Sequence, residues 1–332
     1  MMSARSTPGV NFIRDQAFVF TAWRARPWAM RILFISSNRL GDAVLTTGLL
    51  DHLIRTYPAA RITVATGPVA EGVFIRMPNL ERLIVMEKQR FGAHWLPLWW
   101  FAVRRRWDLV VDIRGSALAW QVPARRRAVM RRRTGHKTEQ LAAVLHLPSP
   151  PMPVAWTGPE DRAMAARLLP AGPPIIALGP TANWDGKVWP AENFAALFHA
   201  LAAGPFPHAR AAIFAGPGAK EARLAAPLCA VLPDAIDLVG MLSIPQAAAC
   251  LARCAVYVGN DSGLMHLAAA AGVPTLGLFG PTPWREYSPA GRATAIAVSS
   301  SGKMADLTAA DALAAICALL DHPHLVAAPA SP

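Results

Sequence analysis

Residues 258–289 read VGNDSGLMHLAAAAGVPTLGLFGPTPWREYSP, preceded by Ala255, Val256 and Tyr257. Ala255 to Val258 ends a run suited to a buried strand. Residues 259–263 (Gly-Asn-Asp-Ser-Gly) form a polar, glycine-bearing turn. Residues 264–271 are an apolar, alanine-rich helix stopped by Gly272-Val273-Pro274, and residues 275–279 are the next buried strand. A strand–turn–helix–turn–strand unit builds a parallel α/β sheet. Its first turn lies at the carboxyl end of a strand, where open α/β sheets gather ligands. The N–H groups of Ser262, Gly263 and Leu264 point outward there with the positive end of the helix dipole, a setting that suits phosphate. Spacing alone leaves a plainer reading open, with Asp261 or Ser262 as an N-cap and His266 as a first-turn residue packed on the sheet.

The rest of the chain repeats this alternation. Strands are expected over 32–36, 61–66, 82–86 and 109–113, with a short one over 127–130. Helices are expected over 42–56, 95–103 and 136–147. Residues 148–153 carry four prolines and read as a linker. Beyond it the pattern restarts, with strands over 175–178, 211–215 and 236–239 and helices over 190–201, 244–253 and 309–320. The organisation is thus an extension over 1–29, a doubly wound domain over 30–147, the linker, a second such domain over 154–321 and a Pro/Ala-rich tail over 322–332. Met30 stands directly before the first strand, so translation starting at Met30, or a loosely attached leader, is expected; intact-mass analysis of the natural protein decides.

Of 332 residues, 53% are hydrophobic and 16% charged, which permits two sizeable cores and excludes global disorder. The formal charge is +12, and residues 104–137 carry eleven Arg and Lys against Asp108 and Asp112. One face of the first domain is therefore basic. Nucleic acid, anionic lipid headgroups and a phosphorylated glycolipid would all be attracted to it, and a merely solvated basic face is the plain alternative. Cys250 and Cys254 sit one helical turn apart in an alanine-rich run and read as small buried apolar residues. With no disulfide framework, a reducing cytoplasm is expected. No apolar run reaches the length of a membrane span.

Two stretches resemble one family. NDSGLMHLAAAAGVPTLGLFGPT resembles the donor-site signature of the heptosyltransferase family, and Arg39-Leu40-Gly41-Asp42 resembles its amino-terminal Arg-x-Gly-Asp motif. The resemblance implies an α/β, GT-B architecture: two doubly wound Rossmann-like domains facing a cleft. It implies an inverting, metal-independent glycosyltransferase moving heptose from ADP-heptose to a lipopolysaccharide core acceptor. Asp42 would be the general base, although an acid opening a helix is its plain reading. Gly41 is expected to let the chain turn sharply before that helix. Arg39, with Asn38 and Gly41, would meet the acceptor. Lys187, preceding Trp189-Pro190, resembles the family's loop lysine and would neutralise the diphosphate as the sugar leaves; an exposed loop lysine is the alternative. Thr181 would add a hydroxyl. Asp261 would hold the ribose, and Ser262, Gly263, Leu264 and His266 would face the diphosphate. Gly280, Pro281 and Thr282 would wall the pocket. Asn183-Trp184-Asp185 departs from the family's serine-rich versions of this loop.

Gly186-Lys187 is not a P-loop, because Val188 replaces the required Ser/Thr. Gly216-Pro217-Gly218 lacks the third glycine of a dinucleotide fingerprint. No Asp-x-Asp pair or His/Cys cluster marks a metal site, and no cofactor beyond the nucleotide-sugar substrate is expected. Trp95, Trp99, Trp100 and Phe101 beside Arg104, Arg105 and Arg106 resemble an interfacial helix. Residues 95–106 and 125–133 (Arg125 to Arg133) are expected to meet anionic lipid on the inner face of the cytoplasmic membrane, with a glycolipid acceptor and no nucleic acid as partners. Two alternatives stand: a same-fold enzyme using another nucleotide sugar, and a catalytically silent nucleotide-sugar-binding protein. The joint presence of Asp42, Lys187, Asp261 and His266 argues against the second.

Overall fold

The computed structural model describes residues 29–321. The expected extension, Ala29 excepted, and the tail over 322–332 lie outside the described residues. The first sheet contains β1 (Arg31–Ile35), β2 (Arg61–Thr66), β3 (Leu80–Val85), β4 (Trp107–Asp112) and β5 (Ala124–Val129), in the order β3-β2-β1-β4-β5. All its pairings are parallel. Its helices are α1 (Leu40–Thr56), α2 (Trp95–Val103), α3 (Leu118–Gln121) and α4 (Lys137–Ala142). A central parallel strand must be apolar on both faces. Accordingly Ile32 and Phe34 join one core with Val44, Leu45 and Leu49 of α1. Leu33 and Ile35 join another with Leu98 and Ala102 of α2 and with Trp107.

After the crossing come α5 (Pro159–Leu168), α6 (Ala191–Ala203), α7 (Ala219–Val231), α8 (Ile244–Leu251), α9 (Gly263–Ala270), α10 (Trp284–Tyr287) and α11 (Ala309–Leu320). Their sheet comprises β6 (Ile175–Gly179), β7 (Arg210–Ile213), β8 (Ile236–Asp237), β9 (Val256–Asn260), β10 (Thr275–Phe279) and β11 (Thr294–Val298). The strand order is β11-β10-β9-β6-β7-β8. Each sheet changes winding direction beside its own first strand, between β1 and β4 and between β6 and β9. Crevices at such points are where open α/β sheets take ligands.

The central unit keeps its expected strand–turn–helix–turn–strand order, but β9 runs on through Gly259 and Asn260, which were expected in the turn, and α9 is displaced by one residue. Strands β2 and β10 and helices α2 and α11 match their expected bounds. Helix α1 instead starts at Leu40. Gly41 therefore lies inside the first turn of α1, which corrects the expectation of a sharp glycine turn. Five elements escape the hydrophobic pattern, two of them the four-residue helices α3 and α10. Helix α5 buries only Asp161 and Ala165, and α7 buries only Ala225 and Leu228 around an internal Pro227. Strand β11 is half-buried at the sheet edge. The proline-rich crossing is packed down: a Cβ on Gly48 would overlap the Pro151 carbonyl oxygen. The Val154 N–H donates to Thr47 Oγ1 at 2.8 Å. Arg76 of the first domain donates through Nε to Asp161 at 2.9 Å, tying α5 to the first domain. Cys250 and Cys254 are buried free thiols, as expected.

Candidate active site

The two domains meet where the helices that follow β1 and β9 begin. A Cβ on Gly41 would lie 2.8 Å from His266 Cδ2, and one on Gly263 would lie 2.7 Å from Leu40 Cδ2. Two glycines, one per domain, thus let the amino ends of α1 and α9 come into direct contact. Asp42 occupies the first turn of α1, half-buried, and accepts from Ser37 Oγ at 3.5 Å. Ser262 is the N-cap residue of α9 but makes no side-chain capping bond, and the first turn of α9 contains no acid. Ser262 thus takes the N-cap position, one of the two the plainer reading offered, without capping through its side chain.

The second domain's residues collect at the β6/β9 switch point. Asn260 at the end of β9 is wholly buried and staples two stretches of the loop after β6. Its Nδ2 donates to the Pro180 carbonyl at 2.8 Å, and its Oδ1 accepts from the Trp189 N–H at 3.1 Å. The stapled loop carries Lys187 to Asp261, and their side chains pair at 2.6 Å while only 13% and 9% exposed. Lys187 is therefore not a solvated loop lysine. Trp184 folds over Gly186, where a Cβ would overlap its ring, so the residue that departs from the family pattern shapes the lysine's own turn.

Several buried polar atoms here have no hydrogen-bond partner: Ser262 Oγ, His266 Nδ1, Thr282 Oγ1 and the Tyr257 hydroxyl. Buried polar groups are nearly always satisfied; three of these four lie beyond the carboxyl ends of β9 and β10, and Tyr257 lies within β9. Burial pushes His266 down to about 4, against Asp261, which draws it up, so the imidazole is neutral. Burial likewise pushes the Tyr257 phenol far up; Ser262 is close enough to oppose this, although the pair does not reach hydrogen-bonding geometry. Room for that hydroxyl comes from Gly179 and Gly259, paired in register, where any Cβ would overlap it.

On the first-domain side, Asn38 Oδ1 accepts from Arg114 Nη1 at 3.3 Å, and Arg39 is exposed at the N-cap of α1. Arg114 is positioned by Asp112, fully buried at the end of β4, whose carboxylate accepts from the Arg114 N–H and from Ser116. Burial pushes the Asp112 carboxyl up, and the Ser116 hydroxyl and local N–H groups oppose this. His136 caps α4, accepts from the Thr138 N–H through Nδ1, and donates through Nε2 to the Ser288 carbonyl of the second domain at 2.9 Å. Tyr287 stands near Asp42: burial first and that carboxylate next push its phenol up.

The structure thus brings Gly41 to His266 and Gly263 to Leu40 across the domains, with Asp42 next to Gly41 in the first turn of α1, Asp261 paired with Lys187, and Ser262 and Leu264 flanking Gly263. Thr181 is buried directly after β6. Gly280 faces Met304 instead, and Pro281 is exposed; neither contacts the Lys187–Asp261 pair through a hydrogen bond. Sequence reasoning missed Asn260, Asp112, His136 and Tyr287. Asn260 and Asp112 had a usable signal, since each is a polar residue ending a strand at a switch point. His136 and Tyr287 act across domains and left none. Among the described residues, no group of three His, Cys, Asp or Glu side chains is arranged to hold a metal ion.

Residues 117–316 match the profile of glycosyltransferase family 9 (heptosyltransferase). Lipooligosaccharide heptosyltransferase 2 of Haemophilus ducreyi is 26% identical over 307 residues, covering 76% of this chain and 84% of that protein. A solved glycosyl transferase family 9 structure from Veillonella parvula is similar with a TM-score of 0.74 at 21% identity, over 88% of this chain and 97% of that one. The Escherichia coli ADP-heptose lps heptosyltransferase II gives 0.71 at 22% identity, over 89% and 100%. The structural likeness is one of fold, the two-domain GT-B arrangement.

Proposed function

The chain belongs to glycosyltransferase family 9, the heptosyltransferases, and from that footing we propose that it moves heptose from ADP-heptose to a hydroxyl of a lipopolysaccharide core acceptor. Transfer inverts the anomeric centre in one displacement. The acceptor hydroxyl attacks the anomeric carbon, Asp42 takes its proton, and the bond to the ADP oxygen breaks. Charge developing on the leaving diphosphate is met by Lys187 and by the N–H groups of Ser262, Gly263 and Leu264, in a site that needs little reorganisation. Asp261 holds the ribose and keeps Lys187 oriented. Asn38, Arg39 and Gly41 lie on the acceptor side. The observation that carries this reading is the contact of α1 with α9 through Gly41 and Gly263. It brings the one carboxylate in the first turn of α1 to the start of the helix whose N–H groups remain uncapped.

Calorimetric titration of ADP, UDP and GDP tests the donor. Preference for ADP supports the reading. Preference for UDP or GDP moves the function to another sugar, and binding of none leaves a silent scaffold.

The acceptor is a glycolipid, and the enzyme works at the inner face of the cytoplasmic membrane. No helix among the described residues is long and apolar enough to cross a membrane. Leu96, Trp100 and Trp120 are exposed, and Arg104 stacks on Trp100 at 3.5 Å, an amphipathic surface suited to an anionic interface. Flotation with anionic liposomes at low salt tests this; a protein that stays at the bottom refutes it.

A further inference from the structure

A cavity of about 810 Å³ opens at the amino edge of the first sheet, lined by the starts of β1, β2, β4 and β5. Asp42 follows the opposite end of β1, a strand-length of about 16 Å away at ~3.3 Å per residue. The cavity is thus separate from the site described above. Its lining presents Arg31, Arg61, Arg106, Arg125 and Arg127 against one acid, Asp108.

Three of these arginines are already occupied. Arg125 pairs with Asp108 at 3.4 Å and Arg61 with Glu81 at 3.7 Å. Arg127 donates to the carbonyls of Ala119, Ala124 and Val122, which satisfies the end of α3. Asp108 also accepts from the Arg31 N–H, which spends its second oxygen. The Arg31 and Arg106 guanidiniums have neither an ion pair nor a hydrogen bond among the described residues. Five guanidiniums around one space repel one another, and Asp108 with Glu81 does not balance them. If the arginines served only to satisfy helix ends, Arg31 and Arg106 would meet carbonyls as Arg127 does.

We propose that this cavity is a second anion site that takes a phosphate group, with Arg31 and Arg106 as its two free forks. Two unpaired guanidiniums match the charge of one dianion, and their planar donors suit phosphate oxygens. A phosphomonoester or a pyrophosphate fits that charge, whether carried by a soluble molecule or by a lipid headgroup. The lipid source has a neighbour suited to it, because Arg127 of the lining also lies 5.9 Å from the exposed Trp120 ring.

Residue-resolved modification of the full-length protein with phenylglyoxal, read by mass spectrometry, tests the site. The exposed Arg167 of α5 serves as the internal reference. Inorganic pyrophosphate is expected to slow modification of Arg31 and Arg106 several-fold while leaving Arg167 unchanged. Unchanged rates at Arg31 and Arg106 overturn the proposal, even where vesicles shield that face. Phosphatidylcholine vesicles with and without phosphatidic acid form the second arm. Protection that requires phosphatidic acid, on top of the pyrophosphate effect, assigns a headgroup. Protection by pyrophosphate alone assigns a soluble phosphate ester and counts separately against membrane docking.

Discussion

Replacing Lys187 tests the site at its buried ion pair. The Lys187 ammonium and the Asp261 carboxylate lie 2.6 Å apart and nearly out of solvent. Removing one member of a buried pair strands the other, at a cost of about 3–5 kcal/mol. For a domain of this size each kcal/mol shifts Tm by roughly 2–4 °C, so Lys187→Met is expected to lower Tm by roughly 6–20 °C. Asp261→Asn should do the same. The double variant K187M/D261N, with no stranded charge, should be more stable than the additive expectation by roughly 2–3 kcal/mol. Ligand binding separates the partners. Lys187→Met should weaken ADP by roughly 10–100-fold, the worth of a charge-assisted hydrogen bond. In Asp261→Asn the diphosphate supplies the anion that Lys187 has lost while the ribose loses its carboxylate, so ADP affinity should fall less than in Lys187→Met. Thermal melts with and without ADP, together with calorimetry, read all four proteins. A Lys187→Met protein with wild-type Tm and wild-type ADP affinity would refute the reasoning.

Asp42→Asn should lower kcat by roughly 10²–10⁴-fold, the usual worth of a general base, with circular dichroism and Tm unchanged; intact turnover removes Asp42 from the chemistry. Gly41→Ala puts a methyl 2.8 Å from His266, so stability should fall by about 1–3 kcal/mol as α1 is pushed off α9, and kcat should fall with it. His266, held down to about 4 by burial, is neutral when folded. A depressed His contributes stability that is complete above its unfolded value of 6.5 and lost as pH falls toward 4. The loss amounts to roughly 3 kcal/mol, and urea melts of wild type against His266→Gln across that window should show it vanish in the variant. Tyr257→Phe removes a buried hydroxyl with no partner and should raise the Tm of the ligand-free protein, by about 1 kcal/mol in stability terms; a lower Tm means the hydroxyl is satisfied in solution.

The fold was legible wherever burial imposed a period. Strand β10 is wholly buried, α11 is amphipathic, and both match their expected bounds. It was not legible where an element buries almost nothing. Helix α5 announces itself only by Pro159 and two acids in its first turn, a start signal that its weak apolar pattern obscures. The site shows the same division. Asp42, Lys187 and Asp261 stood in motifs, yet the pairing of Lys187 with Asp261 spans 74 residues, and no local pattern encodes it. Gly41 was read as a turn residue because a glycine before an acid opens many helices. Its actual constraint is His266, which comes from the other domain.

The contact between the two helix starts also explains why the roles fall as proposed. Each helix amino end behaves as roughly half a positive charge, so two brought together repel unless anions lie between them. Helix α1 carries its own anion in Asp42, within its first turn. Helix α9 carries none, makes no capping bond from Ser262, and the nearest carboxylate, Asp261, is already neutralised by Lys187. The positive end of α9 is therefore the one left for a ligand's negative charge, and the carboxylate on α1 is the one left to accept a proton. A diphosphate leaving group on α9 and a base on α1 satisfy both helix ends at once. Exchanging the roles would put an anionic ligand against Asp42 and leave α9 unmatched.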